Sequence, residues 1–296
     1  MIGRSRTEII DPVIAHGAAI LDAASRLKPL SHSTSQLATL VGAPRTTTAD
    51  LVAVISQDQV LAAALLREAN SAASAASSTI SSIGAALVRL GESRALSLAV
   101  SMAVSEHLAD AVPEYDLSNG ELALLSVVGS VAAELVREKA TVSLPPELST
   151  TALLRDIGVL VMAQFLDPPH LTLLHVVHEA GAALSDSERM VIDANHGEVG
   201  GLLCQAWRLP DSVRLGVQYH HDPFACDAPI AHGVFVADAI AHSVALSTGR
   251  KWSHSEPVES AVSASMRELG IDPESLDGLV DATINRFLGR QTGLAL

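Results

Sequence analysis

With 296 residues the chain is long enough to bury one or two hydrophobic cores. Hydrophobic residues make up 48% of it and aromatics only 3%, so the core must be built from Ala, Leu, Val and Ile, which favours closely packed helices over a sheet. Nineteen Lys and Arg against 33 Asp and Glu give a net charge of −14, which excludes non-specific binding of a nucleic-acid backbone; no Lys/Arg-rich run relieves it. Two cysteines, Cys204 and Cys226, exclude a disulfide framework, and Cys204 reads as a small buried hydrophobe. The first residues, MIGRSRTEIID, carry charges and no apolar run, so no signal peptide is expected. Ala95–Val104 reads as the longest apolar helical stretch, too short to span a bilayer. The expectation is a cytoplasmic protein with neither a membrane nor a nucleic-acid partner.

In chain order the predicted elements are helices. Thr7–Leu27 is amphipathic, with Ile9, Ile10, Val13, Ile14, Ile20 and Leu21 at helical spacing, and Pro29 ends it. A helix from about Ser33 stops before Gly42. Asp50 is the expected N-cap of Leu51–Ser56, and Asp58 that of Val60–Ala69. The small-residue run from Asn70 to Ser78 reads as an ordered turn, because Ile80 and Ile83 resume the apolar pattern at once. Ser81 or Ser82 opens a helix closed by Gly91, and Glu92–Leu108 follows. Pro113–Asn119 is a loop, Glu121–Arg137 a helix and Val142–Pro146 a loop. Thr150–Gln164 is expected as one buried apolar helix carrying Arg155 and Asp156. His170–Gly181, a helix after Ser185 or Ser187, Glu198–Trp207 and Ser212–Tyr219 come next, the last capped by Asp211 and ending at His220-His221. Ala228–Leu246 carries His232, Asp238 and His242. After a loop at Ser253–Pro257, Pro257–Leu269 and Asp272–Phe287 are amphipathic.

Within this helical chain Asp156, His196, the pair His220-His221 and Asp238 are the donor types from which a buried divalent-metal site is made. Arg155, beside Asp156, cannot be a ligand. His242 lies one helical turn past Asp238 and is read as a pH-insensitive surface or outer position. His170, His175 and His178 are read as solvated histidines, and Trp207 and Trp252 as packing anchors.

These residues amount to a family resemblance. Asp50-Leu51, Ile55-Ser56-Gln57-Asp58, Leu65-Leu66, Ala69-Asn70-Ser71, Ile80-Ser81-Ser82-Ile83 and Leu90-Gly91 resemble the N-terminal half of HDOD domains, the bacterial HD-related output domains. Leu27-Lys28-Pro29-Leu30-Ser31 resembles their Leu-Pro-x-Leu-Pro entry with two prolines replaced, and Trp207-Arg208-Leu209-Pro210 their Trp-x-Leu-Pro. The likeness runs from about Leu27 to about Leu246. Behind it stands a resemblance to HD hydrolases and HD-GYP phosphodiesterases. It implies that Asp156 matches the Asp of the His-Asp doublet, His196 the next His, His220-His221 the His pair and Asp238 the final Asp.

The departures weigh as much as the matches. Arg155 stands where the doublet has His, Ser126 falls near the place of the first His, and no Gly-Tyr-Pro follows His221. A hydrolytic metal needs several neutral or anionic ligands and an open position, so two missing imidazoles and an adjacent guanidinium oppose it. An Arg–Asp pair would satisfy the buried carboxylate instead.

The resemblance therefore implies an all-α HDOD fold, with an N-terminal helical subdomain (residues 1–112) packed on an HD-like helical bundle (113–250) and C-terminal helices (251–296) completing it. The expected function is a non-catalytic, stand-alone signalling or regulatory module with a degenerate HD site. It would act on signalling proteins or by self-association, with no cofactor. The alternative is a metal-dependent phosphohydrolase acting on nucleotides or cyclic dinucleotides, using Fe, Mn, Mg or Zn held by Asp156, His196, His220 and Asp238. A third reading has Arg155 gripping the phosphate of a nucleotide ligand.

Overall fold

The computed structural model describes residues 30–41, 45–71, 80–247 and 258–293, with isolated positions at 20, 22–24, 26, 27 and 43. Most of the expected helix Thr7–Leu27, the run 72–79, Trp252 and the loop Ser253–Pro257 lie outside them. Among the described residues the chain is helical and has no strand; one isolated bridge pairs Val112 with Leu117.

The N-terminal part contains α1 (His32–Leu40), α2 (Thr48–Ile55), α3 (Gln59–Ser71), α4 (Ile83–Leu90) and α5 (Glu92–Ala109). Local chemistry sets their ends. Ser31 caps α1 and Ser82 caps α4. Asp58 accepts the Leu61 amide at 3.0 Å, as an N-cap for α3 should. Asp50 is not the cap of α2. Thr47 is, and Asp50 reaches back from the third helical position to complete a capping box. Gly91, at φ 83°, closes α4 and starts α5. Asn70 bonds both the amide (2.8 Å) and the carbonyl (2.9 Å) of Ile80, so it ties together the two ends of the small-residue run.

The second part begins with α6 (Glu121–Lys139), α7 (Leu148–Leu154) and α8 (Ile157–Phe165). The expected single helix Thr150–Gln164 is thus broken at Arg155-Asp156. There Asp156 turns out of helical geometry (φ −97°, ψ 10°) and its carbonyl accepts from Val159 at 3.0 Å, a tighter turn. Then come α9 (Pro168–Glu179), α10 (Leu184–Ile192), α11 (His196–Ala206), α12 (Asp211–Gln218), α13 (Pro229–Ser247), α14 (Glu259–Glu268) and α15 (Leu276–Gly293). Ser185 and Ser187 lie inside α10 rather than before it, and Asp211 is the first residue of α12 rather than its cap.

Two apolar cores hold these helices. One joins α1–α5 to α8–α12; the other joins α6, α7, α13, α14 and α15. Ala95–Val104 is not the longest apolar helical stretch. Leu148–Phe165 and Pro229–Ser247 are long and apolar enough to cross a membrane by composition, yet 83% of each is buried inside the fold, as in core helices. Helices α8 and α11 approach closely. A Cβ at Gly158 would strike the His196 carbonyl and come within 2.7 Å of the Gly200 amide. That contact sets the start of α11 against the turn that carries Asp156.

Candidate functional site

Helices α7, α8, α11, α12 and α13 bring Arg155, Asp156, His196, His220, His221 and Asp238 into one buried cluster. Arg155 is wholly buried. Its Nε lies 2.5 Å from Asp238 Oδ1 and 3.2 Å from Asp156 Oδ2, so one guanidinium bridges both carboxylates. Its Nη1 donates to the carbonyls of Ala152 (2.8 Å) and Leu125 (3.4 Å). The guanidinium lies against α6 at Gly129, where a Cβ would fall on Nη1 and sit 3.1 Å from Cζ. Ser126, one turn earlier on α6, is fully buried.

The other oxygen of Asp156 faces the imidazoles. Asp156 Oδ1 is 3.5 Å from His196 Nε2 and 3.6 Å from His220 Nε2. His196 Nε2 lies 2.7 Å from His221 Nε2. One ring nitrogen from each of His196, His220 and His221 falls within 4.8 Å of the other two. His220 donates Nδ1–H to the Val217 carbonyl at 2.7 Å, which in the neutral ring leaves the lone pair on Nε2. That Nε2 has no hydrogen-bond partner among the described residues, nor do Arg155 Nη2 and Ser126 Oγ.

Sequence reasoning missed two members of this cluster, Glu188 and Tyr115, and left His242 between a surface and an outer position. Glu188, on α10 and 1% exposed, accepts from both the amide and Nδ1 of His196 at 2.8 Å. Tyr115 donates to the other Glu188 oxygen at 2.9 Å. His242 takes the second of its two expected positions, buried behind Asp238 with Nδ1 3.3 Å from Asp238 Oδ1. A signal for Glu188 was present: it is flanked four residues away on each side by Leu184 and Ile192, so it falls on the apolar face of its helix.

The electrostatics follow this geometry. Burial opposes charge throughout, and the partners decide each case. Arg155, then the nearby His196, hold Asp156 well below the usual carboxylate range. His242 and Arg155 do the same for Asp238. Burial works against the His196 cation, but Glu188 and Asp156 hold its pKa up at about 10. Burial with two neighbouring imidazoles pushes His221 well below the usual histidine value. His196 therefore donates Nε2–H to His221 Nε2. His242 is shifted upward by Asp238 against burial, so it is not insensitive to pH.

His221 is half-exposed and lines a cleft of about 360 Å³, together with Asp186, Arg189, Glu198 and Asp222. The remaining residues have ordinary roles. His175 bonds the Glu114 carbonyl (3.1 Å) and His178 the Ala182 carbonyl (3.0 Å), so both are tied to backbone rather than freely solvated. Trp207 packs half-buried on the first core, and Cys204 is buried.

A model of the HDOD domain family matches residues 27–223. The chain belongs to the HDOD domain family. Solved structures agree on the fold. An HDOD domain protein of unknown function from Geobacter sulfurreducens is 21% identical, with 91% of this chain and 96% of that one covered at a TM-score of 0.64. A Shewanella amazonensis SB2B protein provisionally described as a phosphohydrolase is 22% identical, with 90% and 94% covered at 0.64. A second one from that organism, provisionally described as a metal-dependent phosphohydrolase, is 19% identical, with 92% and 97% covered at 0.54. An uncharacterized protein of Treponema pallidum (strain Nichols) is 24% identical over 206 residues, 69% of this chain and 39% of the relative, so the HDOD chain spans about two fifths of that relative's length.

At the HD metal position the chain offers two different settings. Between Asp156 Oδ2 and Asp238 the residues do not fit a cation, because the Arg155 guanidinium fills that place. On the imidazole side they do fit. His220 Nε2 is an orphaned buried donor atom, and His196 Nε2, His221 Nε2 and Asp156 Oδ1 face the same region.

Proposed function

We propose that the HDOD chain is a non-catalytic signalling module that acts by binding, with signalling proteins or a second copy of itself as partners. The observation behind this reading is the Arg155 bridge. A catalytic HD centre bridges its two carboxylates with metal, whereas here an internal cation joins them, at 2.5 Å from Asp238 Oδ1 and 3.2 Å from Asp156 Oδ2. A dication between these two carboxylates would have to share the place of the buried guanidinium and would be repelled by it in a low-dielectric setting. Gripping a nucleotide phosphate is not a role for Arg155, whose side chain is closed off from solvent and held on four sides.

A second reading, a metal-dependent phosphohydrolase, draws support from the convergence of His196, His220 and His221. A cation held there would act as a Lewis acid and lower the pKa of bound water. Of the chain's own groups, His196, His220 and His221 would hold the cation, and Glu188 would orient His196. Turnover of a phosphodiester panel with added Mn²⁺, Fe²⁺ or Mg²⁺, beside an Asp156→Ala variant, separates the two. The module reading expects no turnover above that of the variant. Activity that disappears in Asp156→Ala would replace it with the hydrolase.

A further inference from the structure

We infer that the cluster keeps a site for a single borderline divalent cation, built from His196, His220, His221 and Asp156 Oδ1, with Arg155 supplying the second positive charge internally. This deepens the binding-module reading and needs no turnover. It also changes the ligand set read from the sequence: His221 enters and Asp238 leaves.

Four observations carry it. Asp238 is engaged by Arg155 (2.5 Å) and His242 (3.3 Å) and so is committed elsewhere. Asp156 divides its two oxygens, Oδ2 toward the guanidinium and Oδ1 toward the imidazoles. His220 is locked by Val217 with its buried Nε2 unpartnered. Glu188 fixes His196 through Nδ1 and the backbone amide, which leaves Nε2 as the atom facing His221. A carboxylate behind a ligating imidazole is the usual way a protein orients a metal-binding histidine. Three nitrogens and one carboxylate oxygen suit Zn²⁺, Fe²⁺ or Co²⁺ better than Mg²⁺ or Ca²⁺, which prefer oxygen. The guanidinium caps the count at one, because the place of a second cation between Asp156 and Asp238 is taken. Glu188 and Tyr115 are positioning residues for this site, acting through His196.

The test uses the full chain, stripped of metal and dialysed against Zn²⁺ or Co²⁺ alone. Bound metal is counted by elemental analysis, and the Co²⁺ form is read by visible absorption. One equivalent is expected, with the strong visible bands of a low-coordinate nitrogen-rich site. His220→Gln and His221→Gln should each weaken binding at least about tenfold, and Glu188→Gln about 10–100-fold, with the fold verified by circular dichroism. The double variant Ser126→His/Arg155→His, which reopens the second position, should take up two equivalents. A folded wild-type chain that binds none overturns the inference, as does binding that survives both histidine variants. Either result leaves the non-catalytic reading standing, since that reading falls only on turnover.

Discussion

Gly129 offers the sharpest test of the internal-cation argument, because two effects predict opposite signs there. Alanine in the interior of a helix is worth about 0.8–1 kcal/mol over glycine. Gly129 sits within α6, so propensity alone predicts that Gly129→Ala stabilises. A Cβ at this position, however, falls on Arg155 Nη1 and lies 3.1 Å from Cζ. The end of a long side chain usually yields cheaply, but this one is pinned by Ala152 O, Leu125 O and both carboxylates. Moving it leaves buried Asp156 and Asp238 without their counter-charge, a loss of about 3–5 kcal/mol. The net expectation is destabilisation by about 2–4 kcal/mol. Gly289→Ala on α15 is the control. A Cβ there meets nothing within 4 Å, so that variant should gain up to about 1 kcal/mol. Urea unfolding followed by circular dichroism reads both. If Gly129→Ala proves as stable as wild type while Gly289→Ala behaves as expected, the guanidinium is not held as described.

Three further outcomes follow from the same cluster and its surroundings. His196 has a folded pKa of about 10, above its unfolded value, so its contribution is complete below pH 6.5 and is lost at about 1.4 kcal/mol per pH unit as pH rises toward 10. His221, shifted down, works in the opposite sense, and its neutral burial costs stability as pH falls below 6.5; Glu188→Gln should flatten the alkaline limb of a stability–pH curve and leave the acid limb in place. Tyr115→Phe removes the 2.9 Å bond to Glu188 and should cost about 1.5–3 kcal/mol in urea unfolding, as for a hydrogen bond to a charged group; a neutral effect would mean that Glu188 does not depend on it. Glu134 receives Arg94 from α5 at 3.2 Å and Arg290 from α15 at 2.5 Å in a partly solvated setting. Glu134→Ala should therefore lower stability by only about 0.2–1 kcal/mol per pair, and the difference from wild type should shrink in high salt.

Much of the fold was legible in the sequence because helix punctuation is local chemistry. Asp58, Ser82 and Gly91 mark the ends they were expected to mark. Where Asp50 was expected as a cap, the true signal lay three residues earlier, in the Thr47-x-x-Asp50 box. The break at Arg155-Asp156 was not legible, since neither proline nor glycine stands there. It is imposed by tertiary packing that draws Arg155 toward Asp238 and Asp156 toward the imidazoles. The candidate residues could be named from the sequence, but their division could not, because which oxygen of Asp156 faces which partner is a property of the turn. Glu188 and Tyr115 stayed hidden for a related reason. Their bond spans 73 positions, and neither neighbourhood carries a motif.

The Arg155 bridge also changes how the cluster responds to its surroundings. A bound metal stabilises a fold by mass action, through RT ln(1 + [L]/Kd), so its contribution rises and falls with supply and vanishes under chelation. A cation tethered to the backbone through three methylenes has no such dependence. Its local concentration is set by the chain and is the same in every solution that leaves the protein folded. The pairing of Asp156 with Asp238 is accordingly blind to the metal content of its medium, and within the cluster it is the half-exposed His221 that meets the cleft.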